Sequence, residues 1–247
     1  MAKSKIVLPR VFDNNKGKGD SENDVYLGLP KISYSQLGSW RDLKYRKDYF
    51  KSYFAGMSLP QGVFAEYGTA CGKFMESFGQ TKDETKSERL PMLSNFDVEV
   101  LKQIEYPDNS VYEEHIVIHR EDLGYVIEGF ADRIIYEGND IIVEDFKTGN
   151  LDNKVDFYAS DDYMQTRLYA YRKIQQGYNL KDCRVLMLGR KGNGSKDHPM
   201  RLSGDSKYIP TPYDEKKVEE FLKGIDETVK EISEYYQTYL KLCPQHQ

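Results

Sequence analysis

The sequence predicts an α/β fold, in an α+β arrangement, with a mixed central sheet of about four strands flanked by helices. Residues 111–119, 125–136 and 140–147 read as consecutive strands, with helical patterns on either side. A further apolar run, Cys183 to Arg190, arrives only after a helical pattern over about 161–176. The first strands therefore suit an antiparallel meander, and the last returns after a crossover helix.

Along the chain, residues 1–30 are polar, glycine-containing and unpatterned, and are expected to form a flexible arm ahead of a single domain over 31–247. Order is expected to begin at Ile32-Ser33-Tyr34-Ser35, where a serine offers an N-cap. A helix follows through SQLGSWRDLKYRKDYFKSYF, and a second spans 65–79, where Ala70, Phe74 and Phe78 recur at fours. A charged connection over 81–95 leads to a short helix around 96–105. Beyond the strands, Gly177 is expected to stop the crossover helix. A loop holding Gly192, Gly194, His198 and Pro199 leads to a long amphipathic helix over about 213–240.

Charged residues at 30% beside aromatics at 13% mark a folded, soluble chain rather than a disordered one. No apolar run is long enough to span a bilayer, and the N-terminus lacks the apolar core of a signal peptide. Cys71, Cys183 and Cys243 stand far apart and suit neither a disulfide framework nor a zinc site. A cytoplasmic location is the expectation. The net charge of −5 argues against a coat protein for nucleic acid, but leaves room for a nuclease, which needs clustered acids and only a local basic groove. Arg41, Lys44, Arg46, Lys47 and Lys51 crowd one expected helix, and Arg184, Arg190, Lys191, Lys196 and Arg201 another region. A solvated face explains either run as well as a ligand does.

The chemistry concentrates in YVIEGFADRIIYEGNDIIVEDFKTG, residues 125–149. Residues two apart on a strand share a face, so Asp145 and Lys147 project together. The hairpin turning at Glu137-Gly138-Asn139-Asp140 brings Asp132 alongside them. An ionised carboxylate among apolar neighbours is costly unless paired. A buried Asp132–Lys147 salt bridge answers that cost, and so does a divalent cation held by both acids, with the lysine as base or charge stabiliser for phosphodiester hydrolysis.

Asp132 followed by Asp145-x-Lys147 resembles the PD-(D/E)XK nuclease superfamily in its RecB-like exonuclease form, G-x-x-D then D-x-K-T-G. Gly129, Asp132, Asp145, Lys147, Thr148 and Gly149 all fit that form. Gln165 and Tyr169, four apart on one helix face, match a further mark of the group, and Ser33 to Leu37 look like the start of such domains. The resemblance covers roughly residues 32–190. It implies a restriction-endonuclease-like core in which Asp132, Asp145 and the Phe146 carbonyl ligate Mg2+ or Mn2+. Lys147 would then orient or deprotonate the attacking water, and Gln165 and Tyr169 would position the lysine or the strand. Many relatives carry a histidine on the early helix; none stands between Ala65 and Gln80, position 72 is Gly72, and Glu76 is left as the expected ligand there.

Several neighbouring residues carry two readings. Glu114 suits the metal shell but better suits an exposed edge, and Arg167 suits a phosphate contact or a surface salt bridge. His115 and His119 are read as structural or exposed, and Trp40 as core. The expected activity is that of a metal-dependent DNA exonuclease acting on linear ends or single strands in recombination, repair or phage DNA processing, beside a recombinase or single-strand-binding partner. A structure-specific endonuclease and a non-catalytic DNA-binding or assembly subunit are the alternatives. Intact Asp132, Asp145 and Lys147 weigh against the second.

Overall fold

A computed structural model describes residues 6–9, 29–151 and 155–243. In chain order it contains β1 (Lys31–Ser33), α1 (Tyr34–Arg41), α2 (Leu43–Tyr49), a π-helical turn (Phe50–Phe54), α3 (Val63–Thr81) and α4 (Asn95–Lys102). There follow β2 (Ser110–Arg120), β3 (Tyr125–Glu137), β4 (Asp140–Gly149), α5 (Val155–Ala159), α6 (Gln165–Gln175), β5 (Asn179–Lys191), β6 (Arg201–Pro210) and α7 (Glu215–Leu242). The sheet is mixed and six-stranded, in the order β1-β3-β4-β5-β6, with β2 also paired to β3. The expected α/β class and the order helix, three strands, crossover helix, strand, helix are present.

The chain divides into two compact units: Met1–Pro60 with His115–Gly129 and Glu219–Gln247, and Gln61–Glu114 with Phe130–Val218. In the second unit, β3 and β4 pair antiparallel from Arg133↔Glu144 to Glu137↔Asp140. Gly138, at φ 69°, supplies the positive φ a two-residue hairpin turn needs at its first central position. β4 runs parallel to β5, and β5 antiparallel to β6. Ile141 to Asp145 are all buried, as befits a central strand covered on both faces. On one side, Phe74 and Met75 of α3 and Val98 and Leu101 of α4 join Leu186, Leu188 and Leu202 in a core. Val185, Met187 and Ile209 form another with Tyr158 and Tyr163.

Gly79 on α3 lets the helix approach the sheet side closely, since a Cβ there would lie 2.2 Å from Cζ of Tyr112. Glu144, wholly buried, is bracketed by Arg133 Nε at 2.5 Å and Arg184 Nε at 2.6 Å. Its charge is thereby compensated within the apolar sheet.

In the first unit, β1 runs parallel to the start of β3, with Lys31 opposite Val126. Ser33 caps α1 with a full capping box to Gln36. The single helix expected after it is broken at Asp42, whose extended φ and ψ end α1 while its side chain caps α2. Trp40 is fully buried among Tyr49, Phe50, Phe54 and Tyr235, with its indole N–H donating to Glu231 Oε2 at 3.0 Å, so the core reading of the tryptophan is the observed one. His115 bonds Glu128 at 2.8 Å in a structural role. Most of the expected arm over 1–30 lies outside the described residues; within it, Ile6 and Leu8 are buried and the Val7 N–H donates to Ser233 Oγ at 2.9 Å.

Two strands differ from the expected four, each for a local reason. β1 has three residues, too few to show alternation. β6 is mostly exposed and polar between buried Leu202 and Ile209, and bends at Gly204 with φ 92°, so it carries no period-two apolar signal. The crossover helix begins at Gln165 rather than 161, and α5 precedes it.

Candidate active site

The candidate site lies within the second unit, where β3 and β4 stop pairing. The last pair is Arg133 with Glu144. One step beyond, the Asp132 carboxylate takes up the Phe146 N–H at 2.5 Å, so the side chain stands where a strand neighbour would. Alternation sends Phe146 to the other face, where it packs against the α3–α4 core beneath the Arg133 guanidinium. Asp145 and Lys147 are left on the face of Asp132.

Asp145 is fully buried, and neither of its oxygens accepts a directed hydrogen bond. The Lys147 ammonium lies against Oδ2 as an ion pair. Burial, and then the charge of Asp145, push the Asp132 carboxyl up to about 8, against the pull of Lys147 and of the Phe146 N–H. Burial alone would lower the Lys147 ammonium, but Asp145 and Asp132 outweigh it and hold the group above its ordinary range. Like charges on facing strand positions repel, so with both acids ionised the pair carries one more negative charge than Lys147 covers.

A divalent cation suits that deficit. Asp145 offers buried oxygens met by Lys147 alone, and hard cations of the magnesium type are commonly held by one or two carboxylates with water and phosphate completing the shell. Among the described residues no group of three or more His, Cys, Asp or Glu side chains is placed to hold a metal ion. Glu76 does not complete such a group. It sits half-exposed on α3, accepts from Gln80 Nε2 at 3.5 Å and acts on the Lys73 charge. One turn earlier on the same face, a Cβ at Gly72 would meet nothing within 4 Å, while one at Gly68 would touch Thr148 Oγ1 at 3.3 Å.

Gln165 and Tyr169 behave as a unit, with Gln165 Nε2 donating to the Tyr169 hydroxyl at 3.1 Å. Burial first, and then the charges of Asp145 and Asp132, raise the Tyr169 phenol, which places it beside the acids. The other candidates part from their expectations. Glu114 accepts from Tyr136 Oη at 2.7 Å and from Lys173 Nζ at 2.7 Å, a partly buried structural network rather than a free edge. Arg167 is 2% exposed and donates to the carbonyls of Ser160 at 3.0 Å and Tyr163 at 3.3 Å; its Asp161 contact at 3.5 Å is peripheral. It clamps the loop between α5 and α6, and no face of it is left for a phosphate.

That loop follows Tyr158, which sequence reasoning missed: Lys147 and Asp145 both act on its phenol, which burial raises. Nothing in the polar stretch around it signals the role. Glu113, also missed, stands at φ 51° within β2, and its charge bears on Asp132 and Tyr169. Left-handed backbone in a strand re-aims a side chain, which alternation from Glu114 does not foresee.

The family model described as PD-(D/E)XK nuclease superfamily matches residues 46–245. No curated protein sequence matches the chain. Among solved structures, the one described as the crystal structure of SSO0001 superposes with a TM-score of 0.43 at 18% identity, covering 81% of this chain and 75% of that one.

Proposed function

Because the chain belongs to the PD-(D/E)XK nuclease superfamily, whose members are in general metal-dependent nucleases, we propose that it is a DNA exonuclease of the RecB-like kind, using Mg2+ or Mn2+. The observation that carries the reading is the convergence of Asp132, Asp145 and Lys147, with Asp145 buried and met by the Lys147 ammonium alone. Asp132 and Asp145 would hold the cation, with the Phe146 carbonyl beside them. Such a cation, when bound, supplies an acidified water and positive charge for the leaving oxygen.

Lys147 keeps its proton, since its carboxylate neighbours hold the ammonium above the ordinary range. Its part is therefore charge placed against the scissile phosphate, and orientation of the attacking water, rather than proton abstraction. Tyr169, fixed by Gln165, closes the same face and lines the path of the strand. Work on DNA ends in recombination or repair is the setting this chemistry suits.

The test is incubation of purified protein with linear and circular DNA, single- and double-stranded, with Mg2+ or Mn2+. Linear substrates should be degraded to nucleotides while circles survive, with no product in EDTA. Nicking of circles would make the protein an endonuclease. Intact DNA in every lane would overturn the hydrolytic reading.

A further inference from the structure

Within the second unit, a cleft of about 500 Å³ opens between the start of α4, the end of β5 and the start of β6. Its floor is apolar, with Leu93, Met200 and Leu202 buried. Its rim carries Phe96, 53% exposed on the first turn of α4. Lys191 and Arg201 also line it, and they are direct cross-strand partners in the β5–β6 ladder. Like charges facing each other across a ladder are destabilising. Among the described residues neither has an acidic partner, although ion pairs cover much of the rest of this unit's basic surface. One residue back along β5, the Arg190 guanidinium lies 4.2 Å over the exposed Phe64 ring.

An apolar slot with an exposed ring at its edge takes a flat aromatic group, and paired, uncompensated cations beside it take anions. Single-stranded DNA presents both at a fixed spacing, a base and the phosphates that flank it. The cleft's floor belongs to the α3–α4 core, on the face opposite Asp145 and Lys147, so a DNA strand joining the two would pass around the sheet rather than along one face. Along the sheet, Met187 is the register partner of Lys147, and β5 runs four residues on from it to Lys191. At strand spacing that is about 13 Å, a distance a short single strand covers.

We propose that this cleft is a base-binding subsite for single-stranded DNA. One nucleobase enters the slot against Phe96, and Lys191 and Arg201 hold the adjoining phosphates. The proposal rests on the DNA-nuclease reading, whose strand it would hold upstream or downstream of the cut.

The experiment measures fluorescence anisotropy of a labelled oligothymidylate of about 15 nucleotides in EDTA, so that nothing is cut. The Lys191→Glu/Arg201→Glu double variant should bind at least tenfold more weakly. Its log K against log salt slope should be shallower by about 1.4, the share of two phosphates on a single strand. Phe96→Ala, a surface change whose folding is checked by its melting curve, should bind the oligothymidylate about tenfold more weakly. It should bind an abasic strand of the same length as wild type does. Binding of the double variant within twofold of wild type would overturn the proposal, as would equal loss by Phe96→Ala on base-bearing and abasic strands. An unchanged wild-type affinity for the abasic strand would leave only a polyanion patch, and sinks the base slot. Cleavage assays with Mg2+ are read separately: failure of hydrolysis there defeats the nuclease reading while the anisotropy result still decides the cleft.

Discussion

Asp132 bonds the backbone N–H of Phe146 at 2.5 Å, one step past the last β3–β4 pair. That contact ties an acid on one strand to the backbone between Asp145 and Lys147 on the next. The side chain of Phe146 anchors the opposite face, so the spacing of the acids is set by a backbone peptide and a packed ring rather than by a free loop.

Protons should compete with metal for Asp132, whose carboxyl is pushed up to about 8. Metal affinity measured by titration calorimetry should rise close to tenfold per pH unit between roughly 5 and 8, then level off. In the metal-free protein the sign reverses. A carboxyl whose folded pKa lies above its unfolded value contributes stability that is fully present below the unfolded value, near 4, and lost as pH rises through about 8. Asp132→Asn should flatten that fall in melting temperature; an identical slope in the variant would contradict the assignment.

Lys147→Ala should lower cleavage about 10²-fold or more, the usual cost of one preorganised charge at a developing oxyanion. It also leaves the Asp145 carboxylate buried without its ion partner. The metal-free variant should therefore melt below wild type at pH 8, and recover most of the difference with Mg2+. Turnover near wild type would remove Lys147 from the chemistry.

Saturating metal should raise the melting temperature of wild type. At a hundredfold excess over Kd the gain is about 2.7 kcal/mol, or roughly 5–10 °C for a chain of this size. Asp145→Asn removes the negative charge and one of the two buried oxygens, and should abolish that gain. A thermal shift that persists in the variant would place the metal elsewhere.

Glu76→Gln should change cleavage by roughly twofold at most, about 0.5 kcal/mol, because the structure sets this side chain with Gln80 and Lys73. A loss comparable to that of Asp145→Asn would bring Glu76 back into the metal shell.

Asp132, Asp145 and Lys147 were legible because the rule that joins them is local. A hairpin and a period of two suffice to put them on one face, and the structure does so. Gln165 and Tyr169 were legible for the same reason, with a helix turn in place of the pleat. The reading of Glu76 rests on its position on a helix whose rotation about its axis the sequence leaves open; Gly68 on that helix faces Thr148, and no group of three metal-ligating side chains forms among the described residues. Arg167 looked like a surface cation because its partners are carbonyls of an irregular loop, which no pattern announces. Tyr158 sits on a five-residue helix in a polar stretch, and only the fold brings it to Lys147. β6 stayed hidden because an exposed edge strand with a glycine bulge has nothing to alternate.

The strand that carries Asp145 and Lys147 is buried from Ile141 to Asp145 and paired on both sides up to Glu144. Amides so placed exchange with deuterium only when the whole cooperative unit opens. The acids thus ride on what should be among the slowest-exchanging segments of the chain, and the site has no private way to melt. Loss of catalysis on warming should track the loss of this core and not run ahead of it.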